Sequence, residues 1–296
     1  MWFRSDAVSP RESGQQGDWA WALTALLALA LSGSAAADPA AHSEASDAEV
    51  RALAAMALDP PDWDAARAAF TEAAEVGSPT AMGYLGWMYE EGHGVPTDGE
   101  RAAAWYAQAA QAGAHDFAVK LGWMYLAGEG VERDRKTAES WFLSAIEADH
   151  APARIALASV LIADAQGGRA PERVFEAREL LEDALRTGHV LAAYFLARLY
   201  IEGIGDHPVE EGPALHYTRI GAEQGHPRMQ AWLALMYAEG RGVEPDLVSA
   251  AMWANLAAAD GDAIGDQLRL VLEERLTPEE LHEARRRAVD WALQRR

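Results

Sequence analysis

Apolar positions in this chain recur at steps of three and four, in blocks broken by short glycine-bearing turns. One block reads LGWMYEEGHGVPTDGERAAAWYAQAAQAG, Leu85 to Gly113, and the next LGWMYLAGEGVERDRKTAESWFLSAIEAD, Leu121 to Asp149. A third clear copy, LALMYAEGRGVEPDLVSAAMWANLAAADG, spans Leu233 to Gly261, and two divergent copies start at Leu157 and Leu196. The anchor leucines Leu85, Leu121, Leu157, Leu196 and Leu233 are spaced by 36, 36, 39 and 37 residues. Steps of three and four put apolar side chains on one face of a helix. A recurrence at this period predicts an array of helix pairs, each too small to bury its own apolar face.

Each half of the repeat has its own signature. In the first helix the anchor leucine is followed by a small residue: Gly86, Gly122, Ala158, Ala197 and Ala234. Small side chains there allow close approach of the partner helix. In the second helix, small anchors Ala102, Ala138, Ala177, Ala214 and Ala250 are followed three residues later by Trp105, Trp141, Leu180, Tyr217 and Trp253. Seven after the anchor come Ala109, Ala145, Ala184, Gly221 and Ala257. This face predicts core positions for Trp105, Trp141 and Trp253, and the register does the same for Tyr89, Tyr125, Tyr200 and Tyr237. Between the helices, Gly92 and Gly94, Gly128 and Gly130, and Gly240 and Gly242 read as turns with positive φ. Asp98, Asp134 and Asp246 follow at N-cap positions. Gly113, Gly188, Gly225 and Gly261 read as left-handed ends of the second helices.

These residues resemble the Sel1-like repeat family, relatives of tetratricopeptide repeats. The shared pattern is A-x3-L-G-x-M-Y-x2-G-x-G-V-x2-D-x3-A-x2-W-Y-x2-A-A-x2-G, which runs from Ala81 to Gly113 in the first copy. The likeness covers roughly residues 60–275. It departs in the third copy, where ADAQGGRAPER replaces the G-x-G-V loop, and in the fourth, where Gly203 and Gly205 lack the following Val. The resemblance implies an all-α fold, a right-handed α-solenoid of stacked antiparallel helix pairs. The expected organisation is a signal peptide at 1–37 and a polar linker at 38–48. N-terminal capping helices at 49–80 would carry a half repeat marked by Ala66, Ala69, Ala73 and Gly77. Five repeats would follow at 81–275, and then a C-terminal capping helix at 276–296. There, Thr277-Pro278-Glu279-Glu280 reads as a helix start, and Leu281, Ala284, Ala288 and Trp291 form the apolar stripe.

Charge and composition narrow the partners. The 296 residues carry a formal net charge of -21, which disfavours nucleic acid and anionic membrane surfaces and leaves basic proteins as partners. There is no Cys, which removes disulfides, zinc thiolates and thiol nucleophiles. Residues 19–31, WAWALTALLALAL, are too short to span a bilayer, which needs about 20 residues. Ala35 and Ala37 then offer an A-x-A cleavage site before Asp38. The expectation is export to the periplasm or beyond. The stretch before the apolar run opposes Arg4 and Arg11 with Asp6, Glu12 and Asp18, a poor basic start. A later start codon, or retention of the segment as an anchor, therefore stays open.

The chemistry-bearing motifs are few. No H-E-x-x-H, G-x-S-x-G, S-x-x-K or P-loop pattern occurs. His150, His189 and His226 each follow the end of a second helix, with His115 nearby. Successive repeats stack about 10 Å apart. Zinc ligands must converge to about 2 Å from one point, so these histidines read as turn residues. No cofactor is expected. Trp87 and Trp123 lie off the packing stripe, at a position that varies among copies as Ser159, Arg198 and Leu235. Variation there marks Trp87, Trp123 and Arg198 as candidate partner contacts, on the first-helix face that lines the concave side in tetratricopeptide relatives. Glu90, Glu91 and Glu129 would attract a basic partner. The resemblance implies a non-enzymatic interaction scaffold of the cell envelope, regulating a membrane signalling or polysaccharide-export partner. The competing class is a hydrolase of the β-lactamase-like, Cys-rich Sel1-like kind, whose defining cysteines this chain lacks. A cytoplasmic adaptor is the reading if the N-terminus is not cleaved.

Overall fold

The computed structural model describes residues 39–295, and its chain divides into two compact units at Ala114 and His115. The expected signal peptide and Arg296 lie outside the described residues. In the first unit, helices α1 (Pro39–Met56), α2 (Trp63–Glu75), α3 (Pro79–Glu91) and α4 (Gly99–Gln111) pack each on the next. Helix α1 starts inside the stretch expected to be a linker, and its Ala48 and Ala52 join Phe70, Leu85 and Met88 in the core.

In the second unit the pairs are α5 (His115–Ala127) with α6 (Arg135–Glu147), and α7 (Ala151–Gln166) with α8 (Val174–Arg186). Next come α9 (Leu191–Glu202) with α10 (Glu211–Glu223), and α11 (Pro227–Glu239) with α12 (Leu247–Ala259). Helices α13 (Ala263–Glu273) and α14 (Pro278–Leu293) both pack on α12. The fold is all-α, a solenoid of antiparallel helix pairs, with no strand among the described residues.

The helix-pair interface follows from a match of sizes. All five anchor leucines are at most 1% exposed. A Cβ added at Gly86 would sit 2.6 Å from the Tyr106 ring, and one at Gly122 would collide with Phe142. The equivalent positions in later copies are Ala158 and Leu181, Ala197 and Thr218, and Ala234 and Ala254, all fully buried. The second helix carries its largest rings where the first helix has no side chain at all. This corrects the expected core. Trp105 and Trp141 are only half-buried, and the ring that fills the interface lies one position later, at Tyr106 and Phe142. A helix turns about 100° per residue. The four-residue step from the Ala anchor thus points at the partner helix, while the three-residue step points to its edge at Trp105 and Trp141. Trp253, and Tyr200 of the first-helix register, are buried as expected. Tyr89, Tyr125 and Tyr237 are half-buried, and Met88, Met124 and Met236 take the core instead.

The turns are built from backbone. Gly92 is left-handed, with φ 79°, and its N–H donates to the Met88 carbonyl at 2.9 Å. The chain then returns, so that the Asp98 N–H donates to the Tyr89 carbonyl at 2.8 Å, and the same closure joins Asp134 to Tyr125 and Asp246 to Tyr237. These three carboxylates cap the second helices by accepting from Arg101 N–H, from Lys136 and Thr137 N–H, and from Val248 and Ser249 N–H. Such caps contribute about 1 kcal/mol each. The fourth copy makes the same left-handed pair at Gly203 and Gly205 despite lacking the Val. The third copy does not: α7 runs on for a further turn, to 16 residues. At the C-terminus, Thr277 and Glu280 form a reciprocal capping box, Ala284 and Ala288 are buried, and Trp291 meets Trp253 edge-on at 5.5 Å.

The size match predicts non-additive mutations. Gly122→Ala overpacks the interface and should cost about 1–3 kcal/mol. Phe142→Leu alone opens space and should cost about 1–2 kcal/mol. The double variant recreates the Ala158 and Leu181 combination and should lose at least about 1 kcal/mol less than the sum in urea melts. Simple additivity would refute the match.

Candidate partner-binding residues

Trp123 projects from α5 with 44% of its surface exposed and meets the Phe142 ring in a T-shaped contact at 5.5 Å. Trp87, in the other unit, has a different environment. It is half-buried and tilted against Trp63 at 6.1 Å and against the His93 ring at 4.4 Å, with Tyr84 edge-on at 6.4 Å. His93 also stacks on Trp63 at 4.4 Å. Trp87 thus holds the first G-x-G loop against the start of α2, and burial pushes the His93 pKa down. Arg198 is partly buried and forms an i,i+4 ion pair with Glu202 at 3.1 Å. Its equivalents Ser159 and Leu235 are half-buried. Among the acidic residues expected to attract a partner, Glu90 accepts a 2.7 Å hydrogen bond from the Tyr106 hydroxyl. Burial first, and then this carboxylate, push the phenol above its usual range.

A second aromatic cluster escaped the repeat register. Tyr194 of α9 stacks on Trp232 of α11 at 5.2 Å and on His226 at 5.5 Å. These residues occupy non-equivalent positions in their repeats, so no periodic signal links them. Burial lowers the His226 pKa. The turn histidines His115 and His150 lie 6.1 Å apart by ring centroid, and His150 Nε2 is 3.0 Å from the Asp116 carboxylate. That hydrogen bond pulls the Asp116 pKa down. Among the described residues, no group of three or more His, Cys, Asp or Glu side chains could hold a metal ion. No helix there is long and apolar enough to cross a membrane.

Comparison with known proteins agrees with this geometry. The family profile described as the Sel1 repeat matches residues 79–113, 115–150, 190–226 and 227–262. The chain is therefore a Sel1-repeat protein. The four segments contain the copies anchored by Leu85, Leu121, Leu196 and Leu233. The copy at Leu157 falls outside them, yet it folds as the α7/α8 pair with Leu157, Ala177, Leu181 and Ala184 buried. No curated protein matches the sequence. Among solved structures, the chain is similar to c5321, a protective antigen of uropathogenic Escherichia coli strains displaying an SLR fold. That match has 26% identity and a TM-score of 0.69, over 85% of this chain and 53% of that one. This chain thus spans about half the length of c5321. It is also similar to a Sel1 repeat protein from Oxalobacter formigenes, with 26% identity and a TM-score of 0.62, over 83% of this chain and 99% of that one.

The two tryptophans should separate in a stability assay. Trp123→Ala should change the folding free energy by no more than about 0.5 kcal/mol, as exposed positions do. Trp87→Ala removes three ring contacts and should cost about 2 kcal/mol or more. His226 sets a pH dependence. Its folded pKa lies below the unfolded value of about 6.5, so the unfolded chain binds the proton more readily. Its contribution is fully present above that value and is lost as pH falls through the depressed folded pKa. His226→Gln should flatten the slope of thermal midpoint against pH below about 6.5, and an unchanged slope would assign the dependence to other groups.

Proposed function

We propose that this chain is a non-enzymatic protein-interaction scaffold of the cell envelope, exported by its N-terminal segment. Sel1 repeats generally serve as protein-interaction scaffolds. The observation that carries the reading is Trp123, a large ring 44% exposed on a first helix whose Ala118, Leu121 and Met124 are buried. Exposed Trp is a residue type that anchors protein interfaces once desolvated. Arg198 occupies the same repeat position two repeats on, and Trp87, half-buried, occupies it in the first repeat. The acidic chain favours a basic partner and speeds its approach. The envelope assignment rests on the apolar run 19–31 and the Ala35-Ala36-Ala37 cleavage site. Regulation of a membrane signalling or polysaccharide-export partner is the role proposed there.

Two measurements test the proposal. Affinity capture from crosslinked native cells should retain one or a few partners with the wild-type chain, and Trp123→Ala should weaken capture roughly thirtyfold while leaving the melting temperature intact. Intact-mass analysis of the envelope fraction should give an N-terminus at Asp38. Capture unaffected by the substitution would place the surface elsewhere, and a chain starting at Met1 in the cytosol would overturn the export.

A further inference from the structure

The repeats of the second unit are joined in two physically different ways. In most copies, the second glycine of the G-x-G loop lies against the first turn of the preceding repeat's second helix. A Cβ at Gly242 would fall 2.5 Å from the Glu211 carbonyl oxygen, at the first residue of α10. One at Gly205 would fall 2.7 Å from the Pro171 carbonyl oxygen, at the start of the segment leading into α8. In the first unit, a Cβ at Gly94 would fall 2.5 Å from the Trp63 Cβ, at the first residue of α2. At the Gly205 junction the closest atom is a backbone carbonyl, whereas at the Gly242 junction the Glu211 carboxylate also accepts from the Gly242 N–H at 3.2 Å and lies 3.6 Å from the Arg241 guanidinium.

The junction between the second and third repeats has no such contact. Asp164 stands seven residues after Leu157, where the other copies place the first loop glycine. With a side chain there, α7 continues past the point where the other first helices stop. The Asp164 carboxylate reaches Arg135, which is the first residue of α6 and therefore the structural counterpart of Trp63 and Glu211. Arg169 closes on the same carboxylate at 2.8 Å. Arg173, just before α8, spans back to Glu139 of α6 at 2.6 Å and holds Glu176 at 2.9 Å. The ion pairs occupy the place where the loop contact occurs elsewhere.

We propose that this junction is a salt-sensitive hinge, the point at which the α5/α6 and α7/α8 pairs separate most readily when the array adjusts to a partner. The Asp164 side chain is 9% exposed, whereas Arg135 and Arg169 are 42% and 70% exposed. The acid is buried and depends on cations that water and salt can reach. Salt acts on the exposed guanidinium ends of these pairs, more weakly than on fully exposed pairs, as the Debye length falls from about 10 Å at 0.1 M salt to about 3 Å at 1 M. Backbone packing at the Gly205 junction is insensitive to that change, and the Gly242 junction has the Arg241–Glu211 pair where this one has the pairs of Asp164 and of Arg173.

Hydrogen exchange of the full chain, followed by mass spectrometry at 0.05 M and 0.8 M NaCl, tests this. Exchange in α6–α8 should speed up about fivefold at high salt relative to α11–α12, as expected for losing two partly exposed pairs of about 0.5 kcal/mol each. Asp164→Asn keeps the shape and removes the charge. It should raise α6–α8 exchange at low salt and lower the salt dependence to what the Arg173 pairs with Glu139 and Glu176 retain. Arg135→Gln and Arg169→Gln each leave Asp164 one partner and should give intermediate effects, which keeps the test decisive if Asp164→Asn unfolds the chain. Equal salt response in α6–α8 and α11–α12, or a salt response undiminished in all three variants, would overturn the hinge.

Discussion

The close approach of the two helices within each repeat is the contact on which the rest of the structure depends. A first-helix residue with no side chain, or only a methyl, meets a second-helix residue sized to fill what is left. Gly86 faces the Tyr106 ring and Gly122 faces Phe142. Protein interiors are packed at crystal-like density, so one added methyl in such a place must displace a ring. Because the pair is tight, its two ends come near enough for a turn of a few residues to close them. The hydrogen bonds from Asp98, Asp134 and Asp246 back to Tyr89, Tyr125 and Tyr237 then finish the repeat.

Between repeats, a different constraint applies. A helix pair that has buried its inner face still presents two surfaces, and the next pair must meet one of them. The G-x-G loop allows this by presenting backbone with no side chain. Its second glycine lets the chain pass within van der Waals distance of the preceding helix start, as at Gly242 against Glu211. The third repeat shows what happens without it. The helix pair persists, since Leu157, Ala177 and Leu181 are buried as in the other copies, but its junction is carried by Asp164, Arg135, Arg173 and Glu139. Intra-repeat and inter-repeat packing can therefore vary independently, and a divergent copy can keep one while changing the other.

Trp123, the proposed partner contact, is 44% exposed and meets the Phe142 ring in an edge contact at 5.5 Å. Trp87 occupies the same repeat position, yet it is drawn into a cluster with Trp63 and His93. The difference arises because His93 fills the middle of the first G-x-G loop and supplies a ring to stack on, whereas Glu129 stands at the equivalent place in the next. Identical residues in the same register thus acquire different roles from one loop neighbour.

The repeat period, the helix pairing, the anchor leucines, the small residues beneath the partner helix, the left-handed turns and the Asp caps were all legible in the amino-acid order. They are local or periodic requirements, and one strand of sequence carries them whole. The order of residues also separated the third copy from the others through ADAQGGRAPER. Which second-helix position reaches the interface was decided only in three dimensions, where Tyr106 and Phe142 displaced the expected Trp105 and Trp141. The same holds for the stack of Tyr194 on Trp232 and His226, and for the pairing of Asp164 with Arg135. Each of these depends on the rotation of one helix against another and on the exact offset between repeats. Those quantities are set by the packing of many side chains together, and no single spacing along the chain encodes them.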